Sequence, residues 1–122
     1  MIKSYRDLTI WQKAMDLSVE IYRVTRDFPV SERYNLASQL KRASISIPAN
    51  IAEGRTRTGR GEFRRSVSIA RGSIAELETE LELARRLGYV SNETHSRLAV
   101  AVEEVGRMAS GLLKKLKDLP KP

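Results

Sequence analysis

Apolar residues recur three and four positions apart along nearly the whole chain, and no segment alternates with a period of two. That rhythm predicts amphipathic helices, each turning one stripe to a core. In the first, Ile10, Ala14, Leu17, Ile21, Val24 and Phe28 make the stripe, with Lys13, Asp16, Glu20, Arg23 and Asp27 opposite. Trp11, Met15 and Tyr22 widen the apolar arc. The helix is expected over about residues 8–27, ended by Phe28-Pro29 because the residue before proline avoids the α region.

A second helix is expected over about residues 32–53, with Ser31 as its N-cap. Leu36, Leu40, Ala43, Ile47 and Ile51 form its main stripe, and Ile45, Ala49 and Ala52 a second one. Pro48 falls inside this pattern. It has no N–H and crowds the carbonyl of Ser44, which predicts a kink without a break. The third helix, about 61–87, carries Phe63, Val67, Ala70, Ile74, Leu77, Leu81 and Ala84 in a heptad-like seam. Leu87-Gly88-Tyr89 reads as its stop, with Gly88 free to adopt the left-handed conformation. A fourth, about 92–117, follows Ser91 and carries Leu98, Ala101, Val105, Met108, Leu112 and Leu116 before Pro120. The connections after helices one and three are short, which favours antiparallel neighbours. The expected fold is all-α, a single domain over residues 1–122 built as an antiparallel up-down-up-down four-helix bundle.

Length and composition agree with one domain: 122 residues can bury a core without disulfides or metals. The chain has no cysteine, which removes thiolate metal sites and thiol catalysis and makes the cytoplasm its natural compartment. The first seven residues lack the apolar core of a signal peptide, and no apolar run is long enough to cross a bilayer.

Charge changes the picture more. Against 15 Asp and Glu stand 22 Lys and Arg, a net +7 with a pI of about 10.1. Such an excess draws polyanions: RNA, DNA or acidic lipid. Between the second and third stripes, residues 54–65 hold Arg55, Arg57, Arg60, Arg64 and Arg65 among glycine and threonine. Guanidinium forks match phosphate, and glycines let a backbone come close to it. Three of these arginines crowd the positive end of the third helix, where each cation loses up to about 0.3–1 kcal/mol. Bundle stability therefore does not account for them. These five are the expected nucleic-acid contacts, with Lys41 and Arg42 as lesser ones.

Other chemistry is excluded on its residues. Gly54, Gly59 and Arg60 echo a phosphate-binding P-loop, but the lysine and the Ser/Thr are missing and a helix stands where a strand is required. The third helix carries Glu76, Glu78, Glu80 and Glu82, yet a di-iron bundle needs Glu-x-x-His, and the single histidine, His95, follows Asn92 at that spacing. No nucleophile and orienting acid accompany His95, so no catalytic residue, metal or cofactor is expected. Glu82 can reach Arg85 or Arg86 on its own helix; Glu76 and Glu80 need a cation from elsewhere, with Arg42 a candidate. Ile69, Leu83 and Leu87 lie on the same side as these two acids, well off the core seam. This flank is expected to pack against another helix or another subunit.

Three runs point to a family. Ser46-Ile47-Pro48-Ala49-Asn50-Ile51-Ala52-Glu53-Gly54, the segment from Gly72 to Leu81, and Ala84-Arg85-Arg86-Leu87-Gly88-Tyr89 resemble the bacterial 23S rRNA intervening-sequence proteins. The opening from Tyr5 to Ala14 fits as well. The resemblance implies four-helix bundles assembled as homopentamers around a central channel, encoded in inserts within rRNA genes or elsewhere in bacterial genomes. It implies no established activity. A related protein, the accessory variability determinant of diversity-generating retroelements, is a similar basic pentamer that binds nucleic acid and a reverse transcriptase.

Two functions follow as expectations. One is a non-enzymatic, basic homo-oligomer that binds RNA or DNA through phosphates with little sequence specificity. The other is an oligomeric scaffold that recruits a protein and has no nucleic-acid role.

Overall fold

The structure, a computed structural model, describes residues 4–118, with side chains through Lys117. Its four long helices are α1 (Thr9–Thr25), α2 (Leu36–Thr56), α3 (Arg60–Arg86) and α4 (Asn92–Asp118), with 3₁₀ turns at Tyr5–Asp7 and Val30–Glu32. No strand occurs among the described residues. Each helix packs against two others: α1 on α2, α2 on α3, α3 on α4 and α4 on α1. Cross-helix partners run in opposite directions. Ser18 meets Ser44, Ser46 meets Ser73, and Lys13 and Glu20 of α1 pair with Glu104 and Arg97 of α4. The four helices thus stand at the corners of a square, each antiparallel to its neighbours.

The expected stripes of α1 and α3 and the main stripe of α2 form the core, with Phe63 and Val24 at its edge; the second stripe of α2 does not, since Ile45 and Ala49 are exposed. In α4 the stripe is turned slightly from the expected one. Val102 and Ala109 are fully buried beside Leu98, Val105 and Leu116, while Ala101, Met108 and Leu112 lie at the margin. Both faces of α4 carry small apolar residues, so spacing alone does not choose between them. Pro120 lies outside the described residues.

The start of α2 differs from expectation. Ser31 is not its N-cap: residues 30–32 form a 3₁₀ turn, and the α-helix begins at Leu36. Asn35 at the cap position makes no side-chain capping bond. Glu32 serves instead, its carboxylate accepting the Leu36 N–H at 3.3 Å and the Tyr89 hydroxyl at 2.9 Å. Tyr89 also packs on Phe28, ring centroids 5.5 Å apart, and the Glu32 carboxylate pushes its phenol pKa upward. A side chain 57 residues away thus helps settle where α2 starts. Helix α3 ends as read: Gly88 has φ +80°, the Tyr89 N–H reaches the Ala84 carbonyl and the Gly88 N–H that of Arg85. Ser91 caps α4 by accepting the Thr94 N–H at 3.1 Å.

Helix α2 runs unbroken through Pro48. The proline leaves the Ser44 carbonyl without its helical N–H, and the Ser18 hydroxyl donates to that carbonyl at 2.9 Å in the core. The defect is thereby satisfied from a neighbouring helix.

Candidate nucleic-acid interface

Almost all of the arginine-rich segment is helical. Arg55 lies in the last turn of α2 and is half-buried, and Arg57 is the C-cap, 3.5 Å from Glu53. Only Arg57-Thr58-Gly59 separate the two helices, and Gly59, at φ +99°, makes the reversal that a side chain would hinder. Arg60, Arg64 and Arg65 then stand on the first turns of α3, held at fixed angles by the helix.

The α3–α4 pair turns some of these arginines into a site. A groove of about 710 Å³ is lined by Arg64, Arg65 and Arg71 from α3, by Lys114 and Lys117 from α4, and by Gly61, Ser68, Ile69, Ser110 and Leu113 between them. No acidic residue lines it, and none of the five cations makes an ion pair among the described residues. Arg71, Lys114 and Lys117 were not among the residues expected from sequence. Their signal was present only as helical spacing: Arg60, Arg64 and Arg71 share a face of α3, as do Lys114 and Lys117 of α4.

Charge is divided along the bundle. The half containing the Gly59 reversal, made of residues 4–16, 48–72 and 106–117, holds twelve Lys and Arg against four Asp and Glu. The other half, residues 17–47 and 73–105, holds eight against ten. Lys41 and Arg42 belong to this second half, some 20 Å along α2 from Arg55 at about 1.5 Å per residue. Lys41 sits over the Tyr22 ring, 5.1 Å from its centroid, and Arg42 is exposed.

The sequence matches the 23S rRNA-intervening sequence protein family over residues 6–111. The chain belongs to that family. It is also similar to the crystal structure of a protein of unknown function from the S23 ribosomal protein family of Bacteroides thetaiotaomicron. That likeness has a TM-score of 0.77 at 25% identity, covering 87% of this chain and 99% of the other. No match was found among curated proteins.

In this intervening-sequence protein the Ser46–Gly54 run forms the seam between α2 and α3. A Cβ added to Gly54 would lie 2.4 Å from the Ser66 Cβ, so the two helices touch backbone to side chain there. Ser46 and Ser73 share a 2.8 Å hydroxyl hydrogen bond, and the Asn50 amide donates to both the Ser46 carbonyl and its hydroxyl. The run positions α3, and with it the basic groove.

On the same seam Glu80 is buried, and its Oε1 has no hydrogen-bond partner. Burial first, and the nearby Glu76 second, push its pKa up to about 7. Among the described residues no cation pairs with Glu76 or Glu80, the expected Arg42 included. Ile69, Leu83 and Leu87 on this flank are each about half exposed, left uncovered by the described helices. Glu82 is served by both expected partners, Arg85 at 2.6 Å and Arg86 at 2.9 Å, whose hydrogen bonds pull its pKa down to about 2. His95 is half-buried against it, with Nε2 3.5 Å from Oε1. Among the described residues no three His, Asp or Glu side chains converge to hold a metal, and no helix is long and apolar enough to cross a membrane.

Proposed function

We propose that this chain is a non-enzymatic, cytoplasmic, basic protein that assembles as a homopentamer and binds RNA or DNA through phosphate contacts with little sequence preference. The observation that carries the reading is the groove in which Arg64, Arg65, Arg71, Lys114 and Lys117 converge without an acid or an ion pair. Holding like charges together is unfavourable in a free protein, and a polyanion relieves it while releasing its own counterions. Arg55, Arg57 and Arg60 extend the positive surface around the same end. No aromatic residue lines the groove, so base stacking adds nothing there and binding is read by charge. A pentamer would present five such ends together, multiplying a weak site by avidity.

The test is a titration of labelled structured RNA and duplex DNA at rising salt. It compares wild type with a variant carrying Ser at Arg64, Arg65, Arg71, Lys114 and Lys117. Wild type binds at low salt with a steep salt dependence, and the variant loses most of both. Equal binding by the variant, or none by wild type, refutes the reading in favour of a protein-recruiting scaffold.

A further inference from the structure

We infer that the two flanks of α2 are mating surfaces: the α1–α2 flank of one copy of this chain seats against the α2–α3 flank of a second copy, so that Arg26 faces Glu80. The inference deepens the oligomeric part of the function proposed above and does not depend on nucleic-acid binding.

Each flank has a deficit that the other fills. On the α2–α3 side, Glu80 is buried with a bare oxygen, Glu76 stands beside it, and no cation among the described residues pairs with either. A buried carboxyl without a partner is costly in either protonation state. On the α1–α2 side, Arg26 is exposed and unpaired, and with Arg33 and Lys41 it lines a hollow of about 270 Å³ that contains no acid. Both flanks are apolar around these charges. Leu83 and Leu87 are half exposed near Glu80, and Val19, Tyr22 and Ile45 line a groove of about 440 Å³ beside Arg26.

The register agrees. Ser18 lies opposite Ser44 and Tyr22 opposite Lys41, which sets Arg26 level with residue 37 of α2. Ser46 lies opposite Ser73, which sets Glu80 level with about residue 39. Two copies with parallel axes therefore bring Arg26 and Glu80 within one helical turn, about 5 Å, of the same height. Because the surfaces differ, the contact is heterologous and repeats from copy to copy. The two surfaces lie on adjacent sides of the bundle, so successive copies curve back toward the first and close a small ring.

Among the described residues the charged group that acts on Glu80 is Glu76 on its own helix, and Arg42 of α2 makes no ion pair. A cation from a second copy favours the ionised carboxylate, so docking releases a proton. Association then tightens as pH rises toward about 7, by up to about tenfold per unit, and levels off above it.

Sedimentation velocity on wild type, Glu80→Arg, Arg26→Glu and the double variant tests the contact at about pH 8, above the Glu80 transition. Wild type assembles, each single variant dissociates at least about tenfold more readily, and the double variant, with the pair swapped in every copy, recovers. Circular dichroism establishes that each variant is folded. The absence of cysteine allows a second measurement. Met15→Cys and Ile69→Cys proteins form a disulfide when mixed, and neither does so alone. A monomeric wild type, single variants that assemble normally, or self-linking of Met15→Cys overturns the inference. RNA titration of the single variants separates the two proposals, since the basic groove stays intact in a dissociated subunit.

Discussion

The Ser18 hydroxyl donates a 2.9 Å hydrogen bond to the Ser44 carbonyl, the group that Pro48 deprives of its helical partner. The bond is buried, so its loss strands an acceptor in the core. Ser18→Ala is expected to cost about 1–2 kcal/mol in urea unfolding. In a Pro48→Ala background the new N–H serves Ser44, and the same change is expected to cost about 1 kcal/mol less. The double-mutant cycle reads this coupling directly.

Gly54 governs how closely α2 and α3 approach. A methyl group there overlaps Ser66 at 2.4 Å, and the neighbour is close to backbone on a packed helix. Gly54→Ala is expected to destabilise by about 1–3 kcal/mol. Adding Ser66→Gly returns part of it, less the helix-propensity cost of about 1 kcal/mol for the new glycine. Thermal unfolding of the three variants measures both effects.

Two carboxylates two residues apart on α3 respond to pH with opposite sign. Glu82, held at about 2 by Arg85 and Arg86, contributes stability that is present above its ordinary value of 4.5 and lost as pH falls toward 2. Glu80, raised to about 7, makes the folded subunit bind more protons than the unfolded chain, so its contribution declines as pH rises from 4.5 to 7. Glu82→Gln is expected to flatten the acid limb of the melting-temperature profile. Glu80→Gln flattens the 4.5–7 limb of the subunit diluted below its association range.

Within the arginine-rich segment the contributions to nucleic-acid binding are unequal. Arg57 is already engaged by Glu53 and Arg55 is half-buried, whereas Arg64 and Arg71 stand open in the groove. Arg64→Ser with Arg71→Ser is expected to reduce the salt-dependence slope by about two, one for each phosphate that is no longer neutralised. Arg55→Ser with Arg57→Ser reduces it by less. Affinity at several salt concentrations yields the slopes.

Much of the bundle was legible as spacing. The stripes from Ile10 to Phe28, Leu36 to Ile51 and Val67 to Ala84 fill the core, because a 3.6-residue repeat and a single core leave little choice of face. The family was legible in the Ser46–Gly54 run, which the structure shows to be a seam of small and hydroxyl-bearing residues where two helices meet. The basic segment announced itself by composition, but its grouping did not. Lys114 and Lys117 join Arg64 and Arg71 only because α4 returns antiparallel to α3.

Local sequence determined which stretches coil and, for α1, α2 and α3, which main face each coil buries, since helix periodicity and turn chemistry are short-range properties. Only the tertiary structure decided that Glu32 and Tyr89 set the start of α2, that Ser18 completes the turn Pro48 opens, and that Glu80 is left with a bare oxygen. Each of those outcomes depends on the distance between atoms far apart in the chain. Hydrogen bonds and charges respond to that distance, whereas periodicity does not encode it.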